Sequence, residues 1–192
     1  MTPDPDDAEL IARSLDGDGN AFVEVVRRHE AAVGAYLARR AGRETAEDLL
    51  GEVWVAALGS RAAYDRSFRD ARPWLFGVAH NILRRHWRSR PAEEPQADMT
   101  GMASGWDPWA AVDGRVDAES VLRSALALLQ PQQREILTLV AWEDLTVADA
   151  GRAIGIPPGT ARRRLHEARK ALRDAPGMAA LLADQNTLKE AN

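Results

Sequence analysis

The sequence contains no cysteine. This excludes a disulfide framework and a metal site built on thiolates. No apolar run approaches the roughly 18 residues that mark a membrane-spanning helix. Aromatic residues make up only 6% of the chain, and the strict apolar–polar alternation of half-buried strands is nearly missing. A net positive charge is also missing. The formal net charge is −4, which argues against indiscriminate nucleic-acid binding and leaves any such contact to local basic patches. The first residues, MTPDPDDAEL, are acidic, the opposite of a secretory n-region, so the cytoplasm is the expected compartment, with no membrane partner. Signatures of catalysis are missing as well. His29, His80, His86 and His166 show no metal-ligand spacing, and His29-Glu30 begins like a zinc-protease helix until Val33 takes the second histidine position. With no nucleophile elbow and no phosphate-binding glycine loop, the expectation is a non-enzyme without metal or cofactor.

What is present is helical periodicity. The chain has 192 residues, 45% of them hydrophobic, enough to bury a core in one domain or two small ones. Apolar positions recur at spacings of three and four, which predicts an all-α protein.

The most informative stretch runs from Leu129 to Arg173. Its first helix is predicted from about Pro131 to Ala141, with Ile136, Leu139 and Val140 on one face. A second opens at Thr146 as N-cap and carries Val147, Ala150 and Ile154. Gly155 ends it, and Pro157 and Pro158 suit the first turn of a third helix. That third helix places Ala161, Leu165, Ala168 and Leu172 on one side and Arg162, Arg163, His166, Arg169 and Lys170 on the other. Two short helices, a glycine turn and a basic second helix are the pattern of a DNA-reading helix-turn-helix. A plain helical hairpin with a solvated arginine face would share the spacing but would not need the cluster of arginines. Gly151 costs a helix roughly 1 kcal/mol against alanine, a cost that a close crossing of the next helix can offset.

Upstream, helices are expected from about Asp7 to Leu15, with Leu10, Ile11 and Leu15 inward, and from about Ala21 to Arg39. The DGDGN run between them is a turn by composition. The second helix has Phe22, Val26, Val33 and Leu37 as its stripe, flanked by Tyr36. A third helix starts at Thr45, where Thr45-Ala46-Glu47-Asp48 resembles a capping box. Leu49, Leu50, Val53 and Leu58 face its core, and Glu47, Asp48 and Glu52 make an acidic exposed side. A loop from Ser60 to Asp70 leads to a fourth helix from about Pro73 to Arg90, with Leu75, Val78, Ala79 and Ile82 inward. A second stripe on that helix holds Trp74, Gly77, Asn81, Arg84, Arg85 and Arg88. Guanidiniums bind phosphates, an amide can pair with a base edge, and an aromatic can stack an unpaired base.

The stretch 91–117, rich in Pro, Gly and acids, reads as a linker, with Trp106 and Trp109 unusual for a plain spacer. A second domain, 118–173, opens with Val121, Leu122, Ala125, Leu128 and Leu129, and a tail, 174–192, carries a small apolar cluster from Met178 to Leu182.

Two motifs in order carry a family resemblance. Ala46-Glu47-Asp48-Leu49-Leu50-Gly51-Glu52-Val53-Trp54 is followed by Pro73-Trp74-Leu75-Phe76-Gly77-Val78-Ala79-His80-Asn81. Then Ile154-Gly155-Ile156-Pro157 leads to Gly159-Thr160-Ala161-Arg162-Arg163-Arg164-Leu165-His166-Glu167-Ala168-Arg169. Their order and spacing resemble the extracytoplasmic-function group of bacterial sigma factors, two-domain initiation subunits of RNA polymerase. The resemblance implies a region-two domain over 7–90 and a region-four domain over 118–173. It implies that Glu47, Asp48 and Glu52 dock on the clamp helices of the largest polymerase subunit, with Gly51 standing where a glutamine is common. It further implies that the loop from Asp65 to Asp70 and the fourth helix open the minus-ten element. Asn81 would hold an extruded base, with Trp74, Arg84, Arg85 and Arg88 alongside. Thr160, Arg162, Arg163, Arg164, His166 and Arg169 would read the minus-thirty-five duplex, while the same domain grips the flap of the second-largest subunit. The acidic linker would suit the positively lined path normally taken by RNA. The partners implied are core polymerase, promoter DNA and an anti-sigma factor. Two rivals from other classes are a stand-alone helix-turn-helix regulator, which has no use for the acidic third helix or the Asn81 stripe, and an adaptor that no longer binds promoters.

Overall fold

The computed structural model describes residues 4–89 and 115–181. Among these, every regular element is helical, and the residues fall into two compact units. The first is built on α1 (Asp7–Leu15), α2 (Gly19–Ala41), α3 (Arg43–Ser60), a 3-10 turn (Arg61–Ala63) and α4 (Arg72–Ser89). The second is built on α5 (Arg115–Ala127), α6 (Pro131–Ala141), α7 (Val147–Ala153, through Gly151) and α8 (Pro158–Asp174). Among the described residues no helix is long and apolar enough to cross a membrane.

Caps and glycines set the boundaries of the first unit. Asp6 caps α1 by accepting the Glu9 N–H at 3.0 Å. In the DGDGN turn, Gly17 takes φ +102°. Asp18 accepts the N–H groups of Asn20 and Ala21 at 3.1 and 3.3 Å and pairs with Arg13 at 2.7 Å. Gly42 ends α2 and starts α3. At φ 80° and ψ 159° it lies in a region open essentially to glycine alone. Its N–H bonds to Ala38 O and its own O accepts Ala46 N–H, each at 3.0 Å. The reversal at Gly42 therefore starts α3 at Arg43, two residues before the expected Thr45 cap, and no side chain caps that end.

The core is made where α2 packs on α1, α3 and α4. Leu10, Ile11, Phe22, Val25, Val33, Tyr36, Leu37, Leu49, Val53, Leu75, Phe76, Ala79 and Leu83 are buried, and the Tyr36 and Phe76 rings meet at 5.2 Å. Several inward assignments differ from expectation, Leu50 among them, which is half-buried. Val25 is buried and Val26 half-buried; Ala57 is buried while Leu58 is exposed; Phe76 and Leu83 join the α4 core, leaving Val78 half-buried. Leu15, expected inward, is also exposed at the end of α1.

One carboxylate joins three of these helices. Asp7, in the first turn of α1, is buried. It bonds His29 of α2 at 2.7 Å and accepts the Ala71 N–H, at the entrance to α4, at 2.9 Å. Arg28 adds a contact at 3.4 Å and also binds the Pro5 carbonyl at 2.8 Å and Asp4 at 2.9 Å. Beside it, Arg69 donates to Asp6 at 2.7 Å and the Asp7 N–H donates to Arg69 O at 3.1 Å. Burial pushes the Asp7 carboxyl up, but the His29 hydrogen bond, the Ala71 N–H and the nearby positive charges outweigh it, so the group sits below its ordinary value. Tyr64, buried against the same region, donates its hydroxyl to Phe68 O at 2.5 Å, and burial followed by the nearby Asp7 and Asp70 charges pushes its phenol up to about 12.

In the second unit α8 packs on α6 and α5 around Ala125, Leu126, Leu129, Ile136, Leu139, Leu145, Ala150, Ala161, Leu165 and Ala168. Helix α5 begins at Arg115, inside the last residues of the stretch read as linker, and ends at Ala127. Leu128 consequently falls in the turn and is 66% exposed, while Leu126 takes the inward place. Arg134 closes that turn, donating to Leu126 O at 3.1 Å and Leu129 O at 3.3 Å. The Ala175–Leu181 stretch of the tail starts with buried Ala175, and Gly177 lies against Val121. Trp106, Trp109, the linker acids and residues 182–192 lie outside the described residues.

Asp7→Asn is expected to lower folding stability at pH 7 by about 1–3 kcal/mol, because a charge-assisted buried hydrogen bond is lost. The contribution of Asp7 is fully present above its unfolded pKa of about 3.9 and is lost as pH falls through the lower folded value. Wild-type minus variant stability, followed by urea unfolding, should therefore collapse only in that acid window. A difference that stays flat with pH would contradict the role given to the carboxylate.

Candidate nucleic-acid interface

Helix α7 opens as the sequence predicts. Thr146 Oγ1 accepts the Asp149 N–H at 3.1 Å and donates to Asp149 Oδ2 at 2.6 Å. Gly155 follows at φ +72°, its N–H bonded to Arg152 O at 3.2 Å, and Pro157 precedes the first residue of α8. Gly151 is buried, and a Cβ there would meet Ala161 Cβ at 3.0 Å and the Ile156 carbonyl oxygen at 3.2 Å. The close approach expected of this glycine is thus made against Ile156, just before α8, and Ala161 in its first turn.

Helix α8 turns Ala161, Leu165 and Ala168 into the core and Leu172 half into it. Arg162, Arg163, His166, Arg169 and Lys170 are exposed, and Thr160 and Arg164 are half-buried at the edge. The exposed row can meet a duplex groove with several planar guanidiniums. Not every arginine on it stands alone. Arg163 Nη1 donates to Glu167 Oε1 at 2.8 Å, and Glu167 Oε2 accepts from Gln133 Nε2 of α6 at 3.3 Å. The Gln133 and Arg163 hydrogen bonds, in that order, hold the Glu167 carboxyl below the usual range. The sequence placed Glu167 within the arginine motif but gave no sign of its tie to α6.

On the first unit, α4 exposes Asn81, Arg84, Arg85 and Arg88 on one side. Trp74, on the same stripe, is half-buried with its ring 5.2 Å from that of Tyr64, so it is partly a packing residue. Arg85 pairs with Glu52 of the neighbouring α3, joining a residue read as DNA-facing to one read as polymerase-facing. Glu47, Asp48 and Glu52 are exposed on α3, and the same helix goes on to exposed Val55 and Leu58, at 75% and 43%. The face is therefore acidic in its first half and apolar in its second. Sequence reasoning missed the apolar half because it assigned Leu58 to the core. Asp7, His29 and Asp70 lie close enough to one another to suggest a metal cluster. Their donors are engaged otherwise: His29 and the Ala71 N–H are bound to Asp7, and Asp70 accepts the Arg72 N–H at 2.8 Å.

Comparison with known proteins places the chain in a family. Residues 25–92 match the family description "Sigma-70 region 2" and residues 120–172 match "Sigma-70, region 4". The RNA polymerase sigma factor CarQ of Myxococcus xanthus is 33% identical over 171 residues, spanning 87% of this chain and 95% of that protein. The ECF RNA polymerase sigma factor SigF of Caulobacter vibrioides is 34% identical over 85% of this chain and 89% of its own length. Among solved structures, CnrH in complex with the cytosolic domain of CnrY shares the fold at a TM-score of 0.62 with 24% identity, covering 93% of this chain and 97% of that one. The sigma factor RpoE with the anti-sigma factor NepR from Bartonella quintana shares it at 0.57 and 20% identity, covering 80% and 94%.

Gly151→Ala tests the crossing of α7 and α8. Alanine is the better helix former by about 1 kcal/mol, yet the added carbon meets a short side chain and a carbonyl that have little room to move. The expected net effect is a loss of roughly 1–2 kcal/mol in thermal stability. A stabilised variant would show that the approach is looser than described.

Proposed function

The chain belongs to the extracytoplasmic-function group of RNA polymerase sigma factors, and from that premise we propose how its surfaces divide the work. As a sigma factor it directs core polymerase to specific promoters and starts transcription there. Its helix-turn-helix takes the duplex minus-thirty-five element, with Arg162, Arg163, His166 and Arg169 at the groove and Thr160 and Arg164 at its edge. Helix α4 takes the minus-ten element. The acidic face of α3, through Glu47, Asp48 and Glu52, docks on the clamp helices of the largest polymerase subunit, and the second unit grips the flap of the second-largest. The chain makes and breaks no covalent bond itself and works in the cytoplasm. An anti-sigma factor is a further partner, as it is for the structurally similar RpoE.

The observation that carries this reading is the packing of α4 on α3, with Arg85 paired to Glu52 across its outer edge, which puts the Asn81 row of α4 beside the acidic helix. Polymerase docking and strand capture then lie on adjacent helices of one packed unit, so docking through α3 brings Asn81 with it. Arg84, Arg85 and Arg88 carry the phosphate contacts, Arg85 through the part of its fork that Glu52 leaves open. Each unit alone binds DNA weakly; mounted together on polymerase they act at high effective concentration. Extruding a base costs a few kcal/mol of stacking. A pocket beside Asn81 that fits one base offsets that cost for that base alone, so melting and reading become one event.

The double variant Arg162→Ala, Arg163→Ala should reduce promoter-dependent transcription at least about tenfold, each lost major-groove contact being worth roughly 1–3 kcal/mol of discrimination. Core polymerase binding, measured by gel filtration or fluorescence anisotropy, should not change. Loss of core binding by a folded variant would contradict the division of labour. Asn81→Ala should leave closed complexes intact and reduce strand opening, read by permanganate reactivity of unpaired thymines. Equal loss at both stages would remove the base-holding role.

A further inference from the structure

Arg163 does not project from α8 alone. The Glu167 carboxylate lies one turn on, bonded to Arg163 through Oε1 at 2.8 Å and to Gln133 of α6 through Oε2 at 3.3 Å. The Gln133 amide is engaged at its other end as well, since its Oε1 accepts the Gln130 N–H at 3.1 Å. A continuous polar chain therefore runs from the first turn of α6 to a guanidinium on the outer face of α8. Glu167 is also an anomaly of charge. It stands among Arg162, Arg163, Arg164, His166 and Arg169, on a face that would otherwise attract any phosphate backbone. The other acid near that face, Asp174, sits at the end of the helix and pairs with Lys170 at 2.9 Å.

Two physical consequences follow from this placement. A guanidinium carries five N–H donors in a planar fork, so engaging one nitrogen fixes the plane while the rest of the fork can meet a base edge or a phosphate. A carboxylate close to DNA repels the backbone, and it repels every sequence alike. Fixing a donor favours the sequence that matches it, while the repulsion weakens all the others. Together they trade total affinity for discrimination.

Resting on the reading of α8 as the duplex reader, we propose that Glu167 is a positioning and specificity-determining residue. Braced by Gln133, it aims the Arg163 guanidinium at the upstream promoter element and weakens binding to other DNA. Glu167 itself need touch no base.

The test uses holoenzyme assembled from core polymerase and the full chain, with a duplex pool randomised over the upstream element as the probe. The bound fraction is sequenced for wild type, Arg163→Ala, Glu167→Gln and Gln133→Ala. Binding of the full chain to a fixed non-promoter duplex is titrated against salt. Glu167→Gln should flatten the preference about fivefold or more at the same base pairs that Arg163→Ala flattens. It should also raise affinity for the non-promoter duplex and steepen the salt dependence by about one unit of slope. Gln133→Ala should flatten the same base pairs with no change in salt slope, because it removes the brace and keeps the charge. In the double variant Arg163→Ala, Glu167→Gln, the loss of preference should be no greater than in Arg163→Ala alone. A purely structural Glu167 would weaken promoter and non-promoter duplex together, and that outcome overturns the proposal. So does a Glu167→Gln preference unchanged from wild type while Arg163→Ala is flattened. If Arg163→Ala itself leaves the preference intact, the reading of α8 fails, and the positioning role fails with it.

Discussion

The first unit depends on a buried carboxylate. Asp7 brings the start of α1, the middle of α2 and the entrance of α4 to one point, through His29 and the Ala71 N–H. An ionised group in that position is tolerated because each of its oxygens is met by a donor. The apolar contacts among Ile11, Val25, Tyr36 and Phe76 supply the driving force, but they are non-directional. The carboxylate supplies what they lack: a fixed place for the first turn of α4, and so for the row that carries Asn81 and the arginines. The same interaction therefore lets an ionised group sit in the interior and fixes where α4 begins.

The helix-turn-helix relies on steric closeness instead. Gly151 lets α7 meet Ala161 and Ile156 at distances a side chain would not allow, and Gly155 turns the chain with a positive φ. What the close crossing achieves is a helix whose inner face is small, alanine at 161 and 168 around Leu165, and whose outer face is left to arginine. Charge on that outer face is balanced locally by Glu167 and Asp174, and on α4 by Glu52. An acidic protein with net charge −4 can thus carry exposed guanidiniums on two helices with acidic partners beside them.

Much of this was legible in the sequence, and the exceptions have physical causes. Gly155, the Thr146 cap and the two faces of α8 are encoded within a few residues of one another, so local pattern sufficed. The helical class and the family motifs were equally local. The errors lie where period alone cannot choose between neighbours. Val25 and Val26 both fit a helical stripe, as do Ala57 and Leu58. The inward member is decided by which helix packs opposite, not by hydrophobicity. Leu126 takes the place expected of Leu128 because α5 stops at Ala127, and a helix end is the least readable feature of a sequence. Thr45 carries the same local capping signature as Thr146, but Gly42 has already reversed the chain before it. The ties that most affect the interface, Asp7 to His29 and Ala71, Arg85 to Glu52, and Glu167 to Gln133, join residues far apart in the chain. No local signal announces them, although a histidine on the buried stripe of α2 was a hint that a partner was needed.

In the proposed mechanism two separate surfaces of one chain read two promoter elements while mounted on polymerase. Reconstituted initiation tests it most directly. Core polymerase, this protein and a library of promoter fragments would be combined and the transcripts sequenced. The expected start sites vanish without the protein and share two upstream elements at a fixed separation, one melted and one left duplex. Start sites sharing a single element, or transcription indifferent to the protein, would contradict it.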